Sequence, residues 1–208
     1  MTLVVQPTKI VCIGRNYADH AKELGNEVPK EPLIFLKPPS ALLPPGGTIV
    51  LPPVSTQVEF EGEIGVVIGK RARQVAENDA ESFIAGFTCV NDVTCRDLQK
   101  TDGQWTRAKG FDTFCPVGPR VVALDWRTLS IVTRVNGAER QRGASSDMIF
   151  SIPRLVAHVS AIMTLEPGDL IATGTPAGVG RLAPGDVVEV EIPGIGLLSN
   201  HVAAQESS

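Results

Sequence analysis

Prolines and Pro-Gly pairs interrupt this chain at short intervals, so it cannot fold into long regular helices. Eight prolines fall between residues 26 and 54, where proline disfavours helix and central strand because it lacks an amide hydrogen. Three Pro-Gly pairs, each typical of a turn, divide the last third of the chain at 167–168, 184–185 and 193–194. With 20 glycines, 16 prolines and no repeat, we predict an α+β protein that is rich in short strands and has a few short helices.

Length and charge narrow the class further. A chain of 208 residues is long enough for one domain with its own core, so we predict a single domain over residues 1–208 with flexible ends at 1–8 and 204–208. A net charge of −4 offers no basic surface to nucleic acid. No apolar run reaches the length of a membrane span, and residues 1–10 lack a signal-peptide pattern. The four cysteines lack zinc-site spacing, so we expect free thiols in a cytoplasmic protein.

Hydrophobic periodicity predicts the individual strands and helices. Buried strands are predicted at residues 9–13, 58–69 and 87–91. A short helix is predicted at 17–24, and a longer helix over 151–163 carries apolar residues at helical spacing on one face.

Two local patterns predict specific turns and caps. Asn136-Gly137 provides the two positive-φ residues of a type I′ turn, which indicates a hairpin over residues 129–140. Asn78 followed three residues later by Glu81 predicts a capping box at the start of a short helix.

Alternate acidic residues mark the predicted strand at 58–69. Glu59, Glu61 and Glu63 emerge from one face, about 7 Å apart along the strand. Three like charges there require raised pKa values or a cation, and a carboxylate set suits Mg²⁺, Mn²⁺ or Ca²⁺ better than zinc. A solvated face of an edge strand is the alternative. Asp92 ends an apolar strand, as a ligand does and as an ordinary turn residue does.

Other candidate residues suit acid-base chemistry. His20 and Glu23 share a helix face, so they form either a general base with its orienting carboxylate or a surface pair. Lys109, next to Gly110 among apolar residues, either stabilises an oxyanion or is a surface lysine. The glycine-rich residues 174–180 match neither a P-loop nor a dinucleotide-binding motif, which leaves a loop that shapes a site.

Six motifs in order along the chain resemble the fumarylacetoacetate hydrolase family, in particular its short single-domain branch of acylpyruvate hydrolases. The resemblance runs from about Lys9 to the C-terminus and implies a mixed β-sandwich roll of the family's C-terminal-domain type. The motifs are GRNYADH at 14–20, EFEGEIG at 59–65, NDVTCRD at 91–97, RAKGFD at 107–112, SDMIF at 146–150 and TGTP at 173–176.

The resemblance also implies roles for individual residues. The metal ligands would be Glu61, Glu63 and Asp92, with Mg²⁺ as the ion and Mn²⁺ or Ca²⁺ as alternatives. The catalytic residues would be His20 and Glu23, which activate water, and Lys109. Substrate would be contacted by Arg15, Arg96, Gln99 and Thr175. No role transfers to Glu59 or Arg142.

The activity implied by the resemblance is Mg²⁺-dependent hydrolysis of a carbon–carbon bond in a small 2,4-dioxo acid. An acylpyruvate or fumarylpyruvate would yield pyruvate and a carboxylic acid through an enolate held by the metal, in an enzyme that is a homodimer. Oxaloacetate decarboxylation and isomerisation of 2-hydroxyhepta-2,4-diene-1,7-dioate are alternatives on the same site, because similar sequences catalyse them. A non-catalytic, metal-stabilised binding module is a further alternative.

Overall fold

The computed structural model describes residues 5–206 except 24 and 26. The strands β1 to β15 are Ile10–Gly14, Leu33–Lys37, Leu42–Leu43, Thr48–Leu51, Val58–Phe60, Gly62–Ile68, Ile84–Asn91, Thr94–Cys95, Cys115–Val122, Ser130–Val135, Ala138–Ala144, Leu170–Ala172, Gly180–Arg181, Val187–Ile192 and Gly196–Ala204. The α-helices α1 to α4 are Ala18–Glu23, Arg96–Asp102, Thr106–Lys109 and Ile152–Ile162.

Strands in the described part of the chain form three sheets. The largest has seven strands in the order β2-β1-β12-β6-β7-β9-β3, and it mixes parallel with antiparallel pairs. The second has five strands in the order β11-β10-β14-β15-β4, and the third contains β13, β5 and β8. The proline-rich segment supplies β2, β3 and β4, each at the edge of its sheet, where proline is tolerated. The predicted β-rich α+β fold is confirmed.

The centre of the seven-stranded sheet, at β6, is buried on both faces. Ile64, Val66 and Ile68 of β6 belong to a core shared with α4 and the five-stranded sheet. Val67, between them, belongs to a second core, which also contains Cys12. Since successive side chains of a strand point to opposite faces, all seven residues of β6 are buried. Each large apolar side chain buried in this way contributes about 1.5–3 kcal/mol.

The predicted strand over residues 58–69 is wrong in one respect, because the chain changes sheets at Glu61. β5 pairs with β8 and β13, whereas β6 pairs with β7 and β12. Gly62 begins β6 against the five-stranded sheet, so closely that a Cβ there would lie 1.9 Å from Oγ1 of Thr133. The change of sheet places acidic residues where elements of different sheets meet.

The hairpin prediction is confirmed. Asn136 and Gly137 have φ values of 53° and 77°, as a type I′ turn requires, and they join β10 to β11.

The predicted capping box is wrong. A 3₁₀ segment at Glu77–Phe83 begins after Ala76 without a side-chain cap. Glu81 instead accepts hydrogen bonds from Nε1 of Trp126 and from Arg127. These tertiary contacts replace the local bond that the spacing predicts.

Helix α4 is close to its predicted range. The Ser151 hydroxyl caps it by accepting from the amide of Arg154, and Leu155 is fully buried. Ile162 belongs to the apolar spacing of this helix but is 56% exposed. Among the described helices, none is both long and apolar enough to cross a membrane.

Chain ends were predicted to be flexible, and residues 1–4 and 207–208 lie outside the described residues. Within the described part, Thr8 donates two hydrogen bonds to Asp169. Ala204 pairs with Leu51 at the end of β15. The single-domain organisation stays a prediction.

We expect Leu155→Ala to lower the free energy of unfolding by about 2–5 kcal/mol, because it leaves a cavity between α4 and the sheet. The matched change Ile162→Ala, in the same helix but exposed, should stay within about 0.5 kcal/mol of wild type. Urea unfolding of both variants measures the difference. Equal destabilisation by the two would contradict the described packing.

Candidate functional site

Three buried carboxylates meet where the start of β6 lies beside the end of β7 in the large sheet. Glu61 precedes β6, Glu63 lies within it, and Asp92 follows β7. Because Gly62 pairs with Asn91, the two acidic segments are brought side by side, and the amide of Asp92 donates to the carbonyl of Glu61 at 2.8 Å. One carboxylate oxygen from each of the three residues lies within 4.8 Å of the other two.

Two lysines contact this carboxylate triad. Nζ of Lys109 donates to Glu61 at 2.8 Å, to Asp92 at 2.7 Å and to the hydroxyl of Thr94 at 2.8 Å. Nζ of Lys37 donates to the other oxygen of Asp92 at 2.6 Å. Sequence reasoning missed Lys37, although one signal was present: a lysine at the end of the apolar run 34–36. Both lysines are buried.

A buried arginine joins the triad to the fourth glutamate. Arg96 donates from Nε to Glu59 at 2.8 Å, from one terminal nitrogen to Glu61 at 2.6 Å and from the other to Gln99 at 2.7 Å. Glu59 therefore has a role that the resemblance did not supply. It holds the guanidinium that in turn orients Glu61.

The triad carboxylates have opposite electrostatic environments. Burial alone would raise the pKa of Glu61, but the charges of Lys109 and Arg96 outweigh it and hold that pKa well below its usual value. Burial would likewise lower the pKa of Lys109, but the charges of Asp92 and Glu61 raise it. Glu61 is therefore ionised and Lys109 is protonated across the physiological range.

Glu63 lacks such compensation. Its oxygen accepts one hydrogen bond, from the amide of Gly174 at 2.8 Å, and among the described residues no lysine or arginine forms an ion pair with it. Burial and the charges of Asp92 and Glu61 raise its pKa well above the usual value. Glu59 and the triad together provide four buried carboxylates, whereas the buried cations beside them are three: Lys37, Arg96 and Lys109. A further positive charge would therefore be favourable beside Glu63.

The predicted base pair lies beside the triad. His20 is 4% exposed, and its Nδ1 lies 3.2 Å from the carboxylate of Glu23. The amide of Gly178 donates to both oxygens of that carboxylate, at 3.0 and 3.2 Å. Glu23 is therefore fixed, and it orients the imidazole.

The glycine-rich loop is tied to the strand that carries the glutamates. Thr175 donates to the carbonyl of Gly62 at 2.8 Å. Gln141 of β11, which is buried, accepts from the amide of Gly62 at 3.0 Å and donates to Thr175 at 2.7 Å and to the carbonyl of Pro176 at 2.8 Å. Sequence reasoning missed Gln141, because a glutamine within a polar strand carries no chemical signature.

The triad, Lys109, Arg96 and His20 line one cavity of about 270 Å³. Nine of the ten predicted site residues line it, and the tenth, Glu23, contacts it through His20. The nine are Arg15, His20, Glu61, Glu63, Asp92, Arg96, Gln99, Lys109 and Thr175. The lining also includes Phe35, Lys100 and Trp105, which were not predicted. Arg142, by contrast, is paired with Glu139 on the hairpin and is not among the lining residues.

Sequence comparison identifies relatives of the whole chain. The family described as fumarylacetoacetate (FAA) hydrolase C-terminal matches residues 9–203. The mitochondrial oxaloacetate tautomerase FAHD1 of Arabidopsis thaliana is 48% identical over 197 residues, which cover 91% of this chain and 88% of that protein.

Solved structures agree with this result. The 5-carboxymethyl-2-hydroxymuconate delta-isomerase from Mycobacterium smegmatis superposes with a TM-score of 0.92 at 46% identity, covering 98% of this chain and 81% of that one. The 2-hydroxyhepta-2,4-diene-1,7-dioate isomerase from Mycobacterium marinum gives 0.91 at 47% identity, covering 98% and 77%. The predicted type of β-roll is therefore confirmed.

The raised pKa of Glu63 predicts a pH effect on stability. In EDTA, the folded protein keeps a proton on Glu63 that the unfolded chain has lost, so the free energy of unfolding falls as pH rises above 4.5. Glu63→Gln should remove that part of the fall, since glutamine does not titrate. Thermal unfolding between pH 5 and 8 measures it. As a control, Glu139→Gln replaces an exposed carboxylate whose pKa is lowered by Arg142, and it should leave the slope unchanged.

Proposed function

This chain belongs to the fumarylacetoacetate hydrolase family, and from that membership we propose that it is a metal-dependent enzyme that interconverts the enol and keto forms of a short 2-oxo diacid of the oxaloacetate class. The observation that carries the proposal is the placement of an oriented imidazole beside a buried carboxylate triad and a lysine, in one small cavity. The names of the relatives, a tautomerase and two isomerases, support proton transfer over bond cleavage.

We propose Mg²⁺ as the metal, held by Glu61, Glu63 and Asp92. The donor set fits a hard cation, because it consists of carboxylates alone and carries an excess negative charge at Glu63. When bound, such an ion supplies a Lewis acid that favours the enolate of a chelating 2-oxo acid.

The proton is moved by His20. A carboxylate on Nδ1 holds the ring proton there, which leaves Nε2 as the acceptor. Nε2 takes a proton from C3 of the keto acid, the C3–H electron pair becomes the C2–C3 double bond, and the carbonyl pair moves to the 2-oxygen. Return of a proton to that oxygen gives the enol, and reversal of these steps gives the keto form.

The developing charge of the enolate is met by fixed positive groups. The ammonium of Lys109 is held by Glu61, Asp92 and Thr94, so it does not reorganise during the reaction. The burial of Lys109 excludes water from this side of the site and strengthens its interaction with an oxyanion.

Carbon–carbon hydrolysis of a 2,4-dioxo acid is the second candidate. The observation in its favour is that the His20–Glu23 pair is open to solvent on one side, since the Glu23 side chain is 33% exposed. A water activated there would attack a carbonyl carbon, and the same enolate would leave. A non-catalytic metal module accounts for the triad but gives His20 and Glu23 no role.

The first prediction of the proposal concerns metal binding. We expect Glu63→Gln to weaken Mn²⁺ binding, measured by electron paramagnetic resonance, by about 100-fold or more, since even residues behind a ligand contribute 10–100-fold. In wild type, Mg²⁺ at about one hundred times its dissociation constant should add about 2.7 kcal/mol to stability. Glu139→Gln is the matched control, because Glu139 is an exposed carboxylate outside both the triad and the cavity. If it weakened Mn²⁺ binding as much as Glu63→Gln did, the ligand assignment would be wrong.

The second prediction concerns the reaction. With Mg²⁺, the protein should accelerate the decay of enol-oxaloacetate, followed by ultraviolet absorbance, and EDTA should abolish the acceleration. The same panel should include an acylpyruvate, fumarylpyruvate, 2-hydroxyhepta-2,4-diene-1,7-dioate and release of CO₂ from oxaloacetate. Dominant turnover of an acylpyruvate would replace the proposal by the hydrolase.

His20→Asn tests the base in that assay. We expect kcat to fall by about 10²–10⁴-fold, the usual contribution of a general base, with Mn²⁺ binding retained. His201→Asn, at an exposed position on β15, is the matched histidine control and should keep full activity. Retention of wild-type kcat in His20→Asn would refute the assigned role.

A further inference from the structure

We propose that Trp105 sets the length of the substrate, so that the cavity favours a short 2-oxo diacid, such as the four-carbon acid, over a seven-carbon one. The choice of a 2-oxo acid rests on the proposed function, whereas the length limit rests on the wall of the cavity. The cavity residues that the resemblance identifies do not separate the four-carbon from the seven-carbon reactions, so selectivity has to come from another part of the site.

An aromatic wall extends from Lys109, beside the triad, through Phe35 to Trp105. Nζ of Lys109, which contacts the triad, lies 4.8 Å from the ring centroid of Phe35. That ring meets Trp105 edge to face, with centroids 5.1 Å apart. The amide of Lys109 donates to the carbonyl of Trp105 at 3.0 Å, so the two residues lie one helical turn apart beside the same cavity.

Gly14 and Phe35 hold the indole ring in place. A Cβ at Gly14 would lie 2.8 Å from Cζ3 of Trp105 and 3.1 Å from Cη2, so the ring lies directly against the end of β1. The indole ring also packs against the ring of Phe35, so it has little freedom to rotate out of the cavity. This position is therefore a fixed limit on ligand length.

A positively charged group, the guanidinium of Arg15, lies against the indole ring of Trp105. Cζ of Arg15 is 5.9 Å from the centroid of Trp105, within range of a cation–π contact. Arg15 lines the cavity together with Lys100, and in the described part of the chain neither forms an ion pair or a side-chain hydrogen bond. Two cations without acidic partners suit the second carboxylate of a diacid.

The backbone of Arg15 adopts a left-handed conformation. Its φ of 60° is unusual for a residue with a side chain. The next residue, Asn16, is fixed by hydrogen bonds to the carbonyls of Phe150 and Thr173 and from the amide of Phe150. A strained residue held this firmly is a feature typical of binding sites.

The indole ring lies between the triad end of the cavity and Arg15: Lys109 contacts Phe35, Phe35 contacts Trp105, and Trp105 contacts Arg15. A ligand chain that extends from the triad toward Arg15 therefore passes the edge of the indole ring, and each added methylene increases its contact with that ring. The proposed limit is that a four-carbon diacid clears the ring, whereas a seven-carbon diacid would have to displace it.

The test compares kcat/KM for enol-oxaloacetate with that for 2-hydroxyhepta-2,4-diene-1,7-dioate. Trp105→Ala should shift the ratio of the two values toward the seven-carbon substrate by about tenfold or more, the usual effect of a few methylenes in a closed pocket. Trp105→Phe, which keeps a ring against Phe35, should give a smaller shift. The matched control is Trp126→Ala, the other tryptophan of the chain, which bonds Glu81 away from the cavity; its ratio should equal that of wild type.

A binding measurement separates this inference from the proposed function. Thermal shifts with Mg²⁺ and either 2-oxoglutarate or 2-oxopimelate require no turnover. Wild type should be stabilised more by the five-carbon acid, and Trp105→Ala should lose or reverse that preference.

Each outcome bears on one claim. If both substrates turn over and the ratio for Trp105→Ala stays within about twofold of wild type, the length limit is wrong and the proposed function stands. If no substrate turns over but Trp105→Ala loses the preference for the shorter acid, the proposed function is wrong and the length limit stands. Equal shifts by both acids in wild type would overturn the length limit in either case.

Discussion

The site depends on compensation among buried charges. Glu61 is the centre of this set, because it accepts from both Arg96 and Lys109. Removing one partner from such a buried set typically costs about 3–5 kcal/mol, because the charge left behind has no water to solvate it. The set is one positive charge short at Glu63. Compensation among the other buried charges therefore leaves Glu63 as the carboxylate beside which a further cation would be favourable.

One loop connects the charged cluster with the base. Its Gly174 amide donates to Glu63, its Thr175 hydroxyl binds the strand between the two glutamates, and its Gly178 amide donates to Glu23. Gly178 can make this approach because a Cβ there would lie 2.1 Å from the carbonyl of Arg140, and its φ is +102°. The loop therefore contacts both the triad and the carboxylate that orients the imidazole.

The sequence predicts what short-range chemistry determines. The turn at Asn136-Gly137 is correct because two adjacent residues specify it. The motifs of the resemblance predict ten site residues, and nine of them line one cavity, while their roles stay a prediction. The errors and omissions arise from contacts between distant segments. Glu81 bonds Trp126 instead of capping a helix, and Lys37 becomes part of the site only because β2 lies beside β1, 55 residues before the Asp92 that it contacts.

The two halves of the site differ in how firmly the fold holds them. The triad and Lys109 lie on buried elements in the middle of the large sheet and in α3. His20 lies on α1, which has six residues and is too short to be stable without tertiary contacts. The position of His20, the proposed base, therefore depends on the contact of Glu23 with Gly178 and on the burial of His20 and Ala21. Stabilisation of an enolate is common to tautomerisation, decarboxylation and carbon–carbon hydrolysis, whereas the location of the base decides whether carbon, oxygen or water exchanges the proton. Under the proposed function, a shift of α1 alone would therefore change the reaction, with the charged cluster left intact.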